Sequence, residues 1–525
     1  MSLLDAHDIQ GNILKGYGRS AYPKARYLFL QVKEAEKARQ FVRSLVPSVT
    51  TSAPWRDGAN VARPAVTTNI AFTYHGLREL GVPRDSLQSF PDEFAMGMKA
   101  RMDILGDDGA SEPANWDPIW QSEVHIFVWL SASTTEAIDG KYRAIVALLE
   151  AAAPGVEILR GHRGPGKQDD LPYQEASALY GPDGTPQAHE HFGYTDGISN
   201  PFFKGNTAHE GALMGGGKVT TAPPETREGW EPLETGEFLL GHKDEACESP
   251  EAPTPSLLAR NGTFMVYRKL HQNVGSFDAY LERLGAAFPG GKESLAAKFV
   301  GRWRNGAPLA TFPSEKEADE FAARWAAARA AIASAPDAAT RDAAKKRFAD
   351  LNLQFTAFDY AKDIDGGRCP AGAHIRRANP RGALEFGVTG AFETPGAVSN
   401  RRRILRRGLP YGDSTERKDD GDHGIIFMAM NASIRRQFEF VQQQWMNYGN
   451  DFRLANDKDP ISGNHRTLNG TPDGRMVVMS GAKDPAPPFF CTQLPRFVEV
   501  RGGDYFFMPS LTALRLIGDG DIDPT

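Results

Sequence analysis

His125-Ile126-Phe127-Val128-Trp129-Leu130 reads as a strand, a short run of β-branched and aromatic residues. Thr134 or Thr135 follows where a helix cap is needed, and the pattern carries that helix to about Ala151. Val156-Glu157-Ile158-Leu159 is the next strand. Toward the N-terminus, Tyr27-Leu28-Phe29-Leu30-Gln31-Val32 leads into a helix-like stretch from Ala35 to Leu45. Ile70-Ala71-Phe72-Thr73-Tyr74 leads into a short helix around Leu77-Arg78-Glu79-Leu80. Two β-α-β units in tandem predict an antiparallel sheet with helices on one face, the ferredoxin-like arrangement.

The second half repeats the theme. Thr263 to Arg268 is a strand before a helix-like Phe277 to Leu284, and Ile425 to Met430 leads through Asn431-Ala432-Ser433 into a helix ending near Trp445. His125 to Ala132 with its helix resembles Ile425 to Ala432 with its helix, which points to duplicated units. Final strands are expected at Met476-Val477-Val478-Met479 and Tyr505-Phe506-Phe507. The fold class is therefore α+β, built from two ferredoxin-like units with antiparallel sheets. Residues 1–203 form the first unit and 261–525 the second. Residues 204–260, rich in Gly, Pro, Thr and Glu, read as a surface excursion between them. Within the second unit, 315–350 is rich in Ala, Glu, Lys and Arg, with Phe321, Trp325, Ile332 and Phe348 spaced for helices. The break at Ser334-Ala335-Pro336-Asp337 predicts a helical hairpin, read as a solvated lid or an oligomer contact.

A length of 525 residues exceeds the usual limit of one core, so more than one packed unit is expected. A hydrophobic share of 41% and a charged share of 24% place the chain among ordinary globular proteins. The formal net charge of −6 argues against a surface devoted to nucleic-acid phosphates. Cys247, Cys369 and Cys491 are odd in number with no CxxC pair, which disfavours a disulfide framework and suits a reducing compartment. The opening residues Met1 to Asp8 lack a basic segment and an apolar core of leader length. No run approaches the roughly 18–20 apolar residues that span a bilayer. A cytoplasmic protein with no membrane or nucleic-acid partner is expected, and homo-oligomerisation is left open.

Two segments carry chemistry. Cys369-Pro370-Ala371-Gly372-Ala373 places small side chains before His374, so a flat macrocycle could approach the backbone. Arg376, Arg377 and Arg381 follow, offering cations for carboxylates on that ring. Pro380 ends any helix just beyond. This setting suits a haem whose iron takes one neutral imidazole and keeps an open position. In the other segment, Gly193-Tyr194-Thr195-Asp196-Gly197, an acid lies between glycines that add no side chain against such a ring. A carboxylate above the iron can move a proton between the peroxide oxygens. A nearby guanidinium favours its ionised form and stabilises charge on the departing oxygen. Arg401, Arg402, Arg403, Arg406 and Arg407 crowd one tight loop, and composition does not choose among them.

His374-Ile375-Arg376-Arg377-Ala378-Asn379-Pro380-Arg381 matches throughout the H-I-R-x-x-N-P-R segment of the dye-decolourising peroxidases, and the chain resembles that family. Gly193 to Gly197 matches its G-x-x-D-G pattern. The likeness extends to Asp8-Ile9-Gln10-Gly11-Asn12-Ile13-Leu14, Gly236 to His242 and Gly503 to Ser510. Length and inserts look most like the larger, fungal-like or intracellular bacterial branch, although the Ala-rich 315–350 departs from the core pattern. The resemblance implies one haem b per chain, held between sheet and helices mainly by the second unit. His374 would be the iron ligand, backed by Asp459, with Gly193, Gly197, Arg376 and Arg381 also in the cofactor site. The match Ile404-Leu405-Arg406-Arg407-Gly408-Leu409-Pro410-Tyr411-Gly412 puts the distal role on Arg406. Asp196 and Arg406 would then cleave hydrogen peroxide heterolytically to a ferryl intermediate, with dyes, phenols or similar aromatics as reductants. Tyr411 matches a surface radical site of relatives and so implies an electron relay.

Two other readings compete. A haem carrier or iron-release protein would need His374 but not the Asp196 and Arg406 pair. A non-haem metal site could use His189, Glu190 and His191, although no third histidine stands at suitable spacing and His209 falls in the 204–260 stretch.

Overall fold

In the computed structural model, which describes residues 4–18, 22–55, 62–164, 168–206, 218–219, 230–384, 396–479 and 487–523, Lys24–Val32 forms strand β1 and Ala35–Leu45 helix α1. Ala38, Phe41, Val42 and Leu45 recur at helical spacing and are all buried, so α1 packs by one apolar face. Val66–Phe72 (β2) and Ile126–Ala132 (β3) follow. Thr134 caps Thr135–Ala151 (α2) by accepting the Ala137 N–H, and Val156–Ile158 (β4) completes the unit. Gln174–Ser177 (β5) shares the outer edge of β1 with β4. The order β4-β1-β3-β2, antiparallel throughout, is ferredoxin-like.

The second unit begins with Thr263–Gln272 (β6) and the helices Val274–Gly285 (α3) and Gly291–Val300 (α4). The Ala-rich segment forms the expected hairpin, Glu315–Ala333 (α5) and Ala338–Gln354 (α6). A capping box at Ser314 and Glu317 starts α5, and Asp337 caps α6. After the short helix His374–Ala378 (α7) come Leu405–Tyr411 (β7), Gly424–Asn431 (β8), Val498–Met508 (β9) and Leu511–Asp519 (α8). Their order, β9-β6-β8-β7, repeats the pattern of the first unit.

One nine-stranded sheet, rather than two separate ones, results from joining β9 to β2, where Phe507 faces Phe72. It also curls. The Phe29 ring on β1 lies 5.1 Å from Tyr267 on β6, although three strands separate them in the sheet. The end strands β5 and β7 lie against one another. Strand twist accumulated over this many strands, with aromatic rings filling the interior, closes the sheet toward a barrel.

Three local expectations are corrected. Leu405–Tyr411 is an edge strand and not a tight loop. Gly408 and Pro410 hid it, because both are poor strand residues except at an edge, where Pro gives up no needed donor. The strand expected at Met476 and Val477 is present as Gly474–Val478, and among the described residues it pairs with Phe489–Leu494, outside the main sheet. Residues 204–260 are not a surface excursion throughout, since Leu233, Phe238, Leu239, Leu240 and Leu258 are fully buried in the main core. The stretch between β8 and β9 begins with two π-helical turns, Arg435–Glu439 and Val441–Met446, where an ordinary helix is expected.

Candidate active site

Leu270 and Gln272 of β6, Ile425 and Phe427 of β8, and Val498 and Val500 of β9 floor a cavity of about 320 Å³. Ile375 and Ala378 of α7, with Phe438, Val441 and Met446 of the π-helical stretch, roof it. The cavity thus lies between the sheet and the helices of the second unit, and its walls are mainly apolar.

His374 enters from the first position of α7. Its Nδ1 stands 3.1 Å from both oxygens of Asp459, which is fully buried. A carboxylate only accepts, so in the neutral imidazole Nδ1 carries the proton and Nε2 keeps its lone pair. Nε2 has no partner among the described residues, and a third of the side chain is open to the cavity. Burial alone would lower the His374 pKa, but the charge and hydrogen bond of Asp459 reverse this and raise it. Asp459 is held by the N–H groups of Ile461 (3.0 Å) and Ser462 (2.6 Å) and by the Ser462 hydroxyl. Its pKa is lowered: burial pushes it up, and His374 with the Ser462 amide outweighs that.

Asp196 and Arg406 line the same cavity and form an ion pair at 3.0 Å. Gly197 has φ +78°, a turn that lets its N–H reach Asp196 Oδ1 at 2.6 Å. Arg406 also donates to the Ile198 carbonyl (2.7 Å), and its backbone N–H binds Asn200 Oδ1. Both groups act on the charge of His374, Arg406 lowering and Asp196 raising its pKa, so the three share one electrostatic neighbourhood. Arg407 turns to the opposite face of β7 and donates to the Asn12 and Ile13 carbonyls, as alternation along a strand requires.

The wall carries five further arginines, Arg268, Arg302, Arg381, Arg403 and Arg496. Arg302 and Arg403 have pKa values pushed down to about 9, and Arg381 to about 10, in each case first by burial. Arg381 adds to the depression in Arg302 and Arg403. Such buried cations gain most from an anionic ligand. An apolar slot with one imidazole lone pair and several guanidiniums on its rim fits a haem with its two carboxylates.

Two models of known families match the chain. That described as "DyP dimeric alpha+beta barrel domain" matches residues 8–165, and "Dyp-type peroxidase, C-terminal" matches residues 391–464. The dye-decolorizing peroxidase msp1 of Mycetinis scorodonius is 28% identical over 531 residues, 98% of this chain and 88% of that one. The chain belongs to the dye-decolourising peroxidases. The solved structure of an ancestral D-type dye decolorizing peroxidase is 27% identical, with a TM-score of 0.68, over 98% of this chain and 99% of that one. A dye-decolorizing peroxidase solved with 2,6-dimethoxyphenol is 25% identical, with a TM-score of 0.68, over 98% of this chain and 100% of that one.

Several residues expected in the site of this dye-decolourising peroxidase lie elsewhere. Arg376 does not line the cavity. Its guanidinium binds the Cys369 and Ile364 carbonyls at 2.7 and 3.0 Å and faces Asp363, which fixes the loop before α7. Arg377 likewise anchors α7, donating to the carbonyls of Trp445 (2.7 Å) and Asp457 (2.8 Å). Arg381 does reach the cavity, while two of its bonds go to the Thr356 and Phe358 carbonyls. Gly193 is not against the cavity. At φ +94° its missing side chain makes room for Arg304, whose Nη1 would sit 3.0 Å from a Cβ there. Tyr411 is 1% exposed and its hydroxyl is buried, so it is no surface site.

The non-haem alternative is not assembled. His191 spends both ring nitrogens, on the Tyr411 carbonyl (2.8 Å) and the Ser414 hydroxyl (2.7 Å), and Glu190 is taken by N–H donors. Among the described residues no group of three or more His, Cys, Asp or Glu could hold a metal, and His209 lies outside them. Sequence reasoning missed Arg302 and Gln272, which sit far from any motif and reach the cavity only through folding. No helix is long and apolar enough to cross a membrane among the described residues.

Proposed function

We propose that this peroxidase binds one haem b in the cavity, reduces hydrogen peroxide and oxidises dyes, phenols or similar aromatics. One observation carries the reading: a single cavity gathers His374, backed by Asp459, with the Asp196–Arg406 pair. Bound haem would supply the redox-active iron on which peroxide is reduced, with His374 Nε2 as its protein ligand. Asp196 takes the proton from one peroxide oxygen and returns it to the other, which leaves as water. Arg406 aims the carboxylate and stabilises negative charge on the leaving oxygen. Arg381, with Arg302 and Arg403, would hold the haem carboxylates. The relative solved with 2,6-dimethoxyphenol supports phenols as one donor class. Bulky dyes need an exposed oxidisable ring to give up their electrons, and Tyr411 could serve only as an interior step on that route. The three free thiols support a cytoplasmic setting.

Stopped-flow mixing of the haem-loaded protein with hydrogen peroxide tests this reading. A fast change of the Soret band in the wild type, slowed in Asp196→Asn and in Arg406→Leu, is expected. A wild-type band that peroxide leaves unchanged supports haem carriage instead, and full rates in both variants remove the distal roles.

A further inference from the structure

Residues 188–196 form a hairpin that delivers Asp196. Its base is closed by the Asp196 N–H to the Ala188 carbonyl at 2.7 Å and by a bridge between His189 and Thr195. At its centre the Glu190 carboxyl accepts three N–H bonds. Tyr194 donates to Oε1 at 2.8 Å, and Phe192 (2.8 Å) and the Gln272 side chain (2.5 Å) donate to Oε2. Gln272 is the last residue of β6, so one carboxyl ties the hairpin to the sheet of the second unit. Glu190 and Gln272 are both buried, and both line the cavity that Asp196 lines.

The geometry points to Glu190 as a positioning residue for Asp196, its carboxyl setting where the catalytic acid stands over the cavity. This rests on the peroxidase reading above. Asp196 is near enough to add to the raised pKa of Glu190, after burial and against the pull of Gln272 and the two amides. A glutamine at 190 cannot replace the carboxyl, because its NH2 would face N–H donors and leave a buried N–H unpaired. The outside of the hairpin is held separately. Arg304 donates to the Phe192 carbonyl, and its own carbonyl accepts the Thr195 N–H at 3.1 Å and the Thr195 hydroxyl at 2.9 Å. Loss of the Glu190 carboxyl should therefore loosen the hairpin without unfolding it.

The test compares haem-loaded wild type, Glu190→Gln, Asp196→Asn and the double variant. It reads the second-order rate constant for hydrogen peroxide, and hydrogen exchange of the 188–197 amides. Glu190→Gln should react about tenfold or more slowly, with faster exchange at Phe192 and Tyr194. The double variant should be within about twofold of Asp196→Asn, since a group acting only through Asp196 then has nothing left to act on. An unchanged rate in Glu190→Gln, or two losses that multiply, overturns the assignment. If Glu190→Gln does not retain haem, Gln272→Met carries the comparison: a slower peroxide reaction supports the clamp and an unchanged one overturns it. A full rate in Asp196→Asn would defeat the peroxidase reading itself, a result distinct from a full rate in Glu190→Gln alone.

Discussion

Asp459 fixes the proton of His374 on Nδ1, and that one hydrogen bond decides which nitrogen faces the cavity. Replacing His374 by Ala should therefore abolish haem retention, read as the ratio of Soret to protein absorbance. A ratio like that of the wild type would place the ligand elsewhere. Asp459→Asn removes the charge but keeps the shape, and should weaken haem affinity or slow the peroxide reaction by about 10–100-fold. Arg406→Leu should slow the peroxide reaction by about 10²–10³-fold, the usual cost of one transition-state donor. Asp196→Asn should slow it by about 10²–10⁴-fold, the range of general acid-base help.

Edge strand β7 carries both a site residue and an anchor because neighbours on a strand face opposite ways. Arg406 points into the cavity and Arg407 into the N-terminal segment. Tyr411, at the end of the same strand, lies under the Lys269 ammonium at 4.7 Å, with its hydroxyl buried. Tyr411→Phe should leave the peroxide step unchanged and lower turnover of bulky dyes; equal turnover of such dyes assigns the ring to packing. The α5–α6 hairpin is a different case, because its capping box lies on the surface, away from the cavity. Ser314→Ala should lower stability by about 0.5–2 kcal/mol, read from Tm, with no change in the peroxide rate.

Buried neutral histidines contribute to the acid sensitivity of the whole molecule. Burial lowers the pKa of His191 and of His465 to about 4, and that of His162 well below the usual value, with Lys269 adding to the last shift. A depressed folded-state pKa contributes stability that is present above the unfolded value of about 6.5 and lost as pH falls through the folded value. Urea midpoints should thus fall steadily between about pH 6.5 and pH 4. His162→Phe, which removes one of these groups beside the Phe29 ring, should flatten that slope. A slope equal to that of the wild type would show that His162 takes no part.

The sequence alone determined the elements whose signals are local. Short runs of apolar, β-branched and aromatic residues located β1, β3, β6 and β8, helical spacing located their helices, a cap residue marked α2, and the break at Ser334 to Asp337 marked the α5–α6 hairpin. Short motifs singled out His374, Asp196 and Arg406 because metal ligation and proton transfer need particular side chains in particular local settings. Folding decided the rest. Whether an arginine near His374 faces the cavity depends on which carbonyls lie within reach of it, and this separated Arg381 from Arg376 and Arg377. Arg302 and Gln272 joined the site through contacts that span 103 and 82 residues, which no local pattern encodes. The curl that brings β1 against β6 depends on the twist of every strand between them, and so exists only in the assembled sheet.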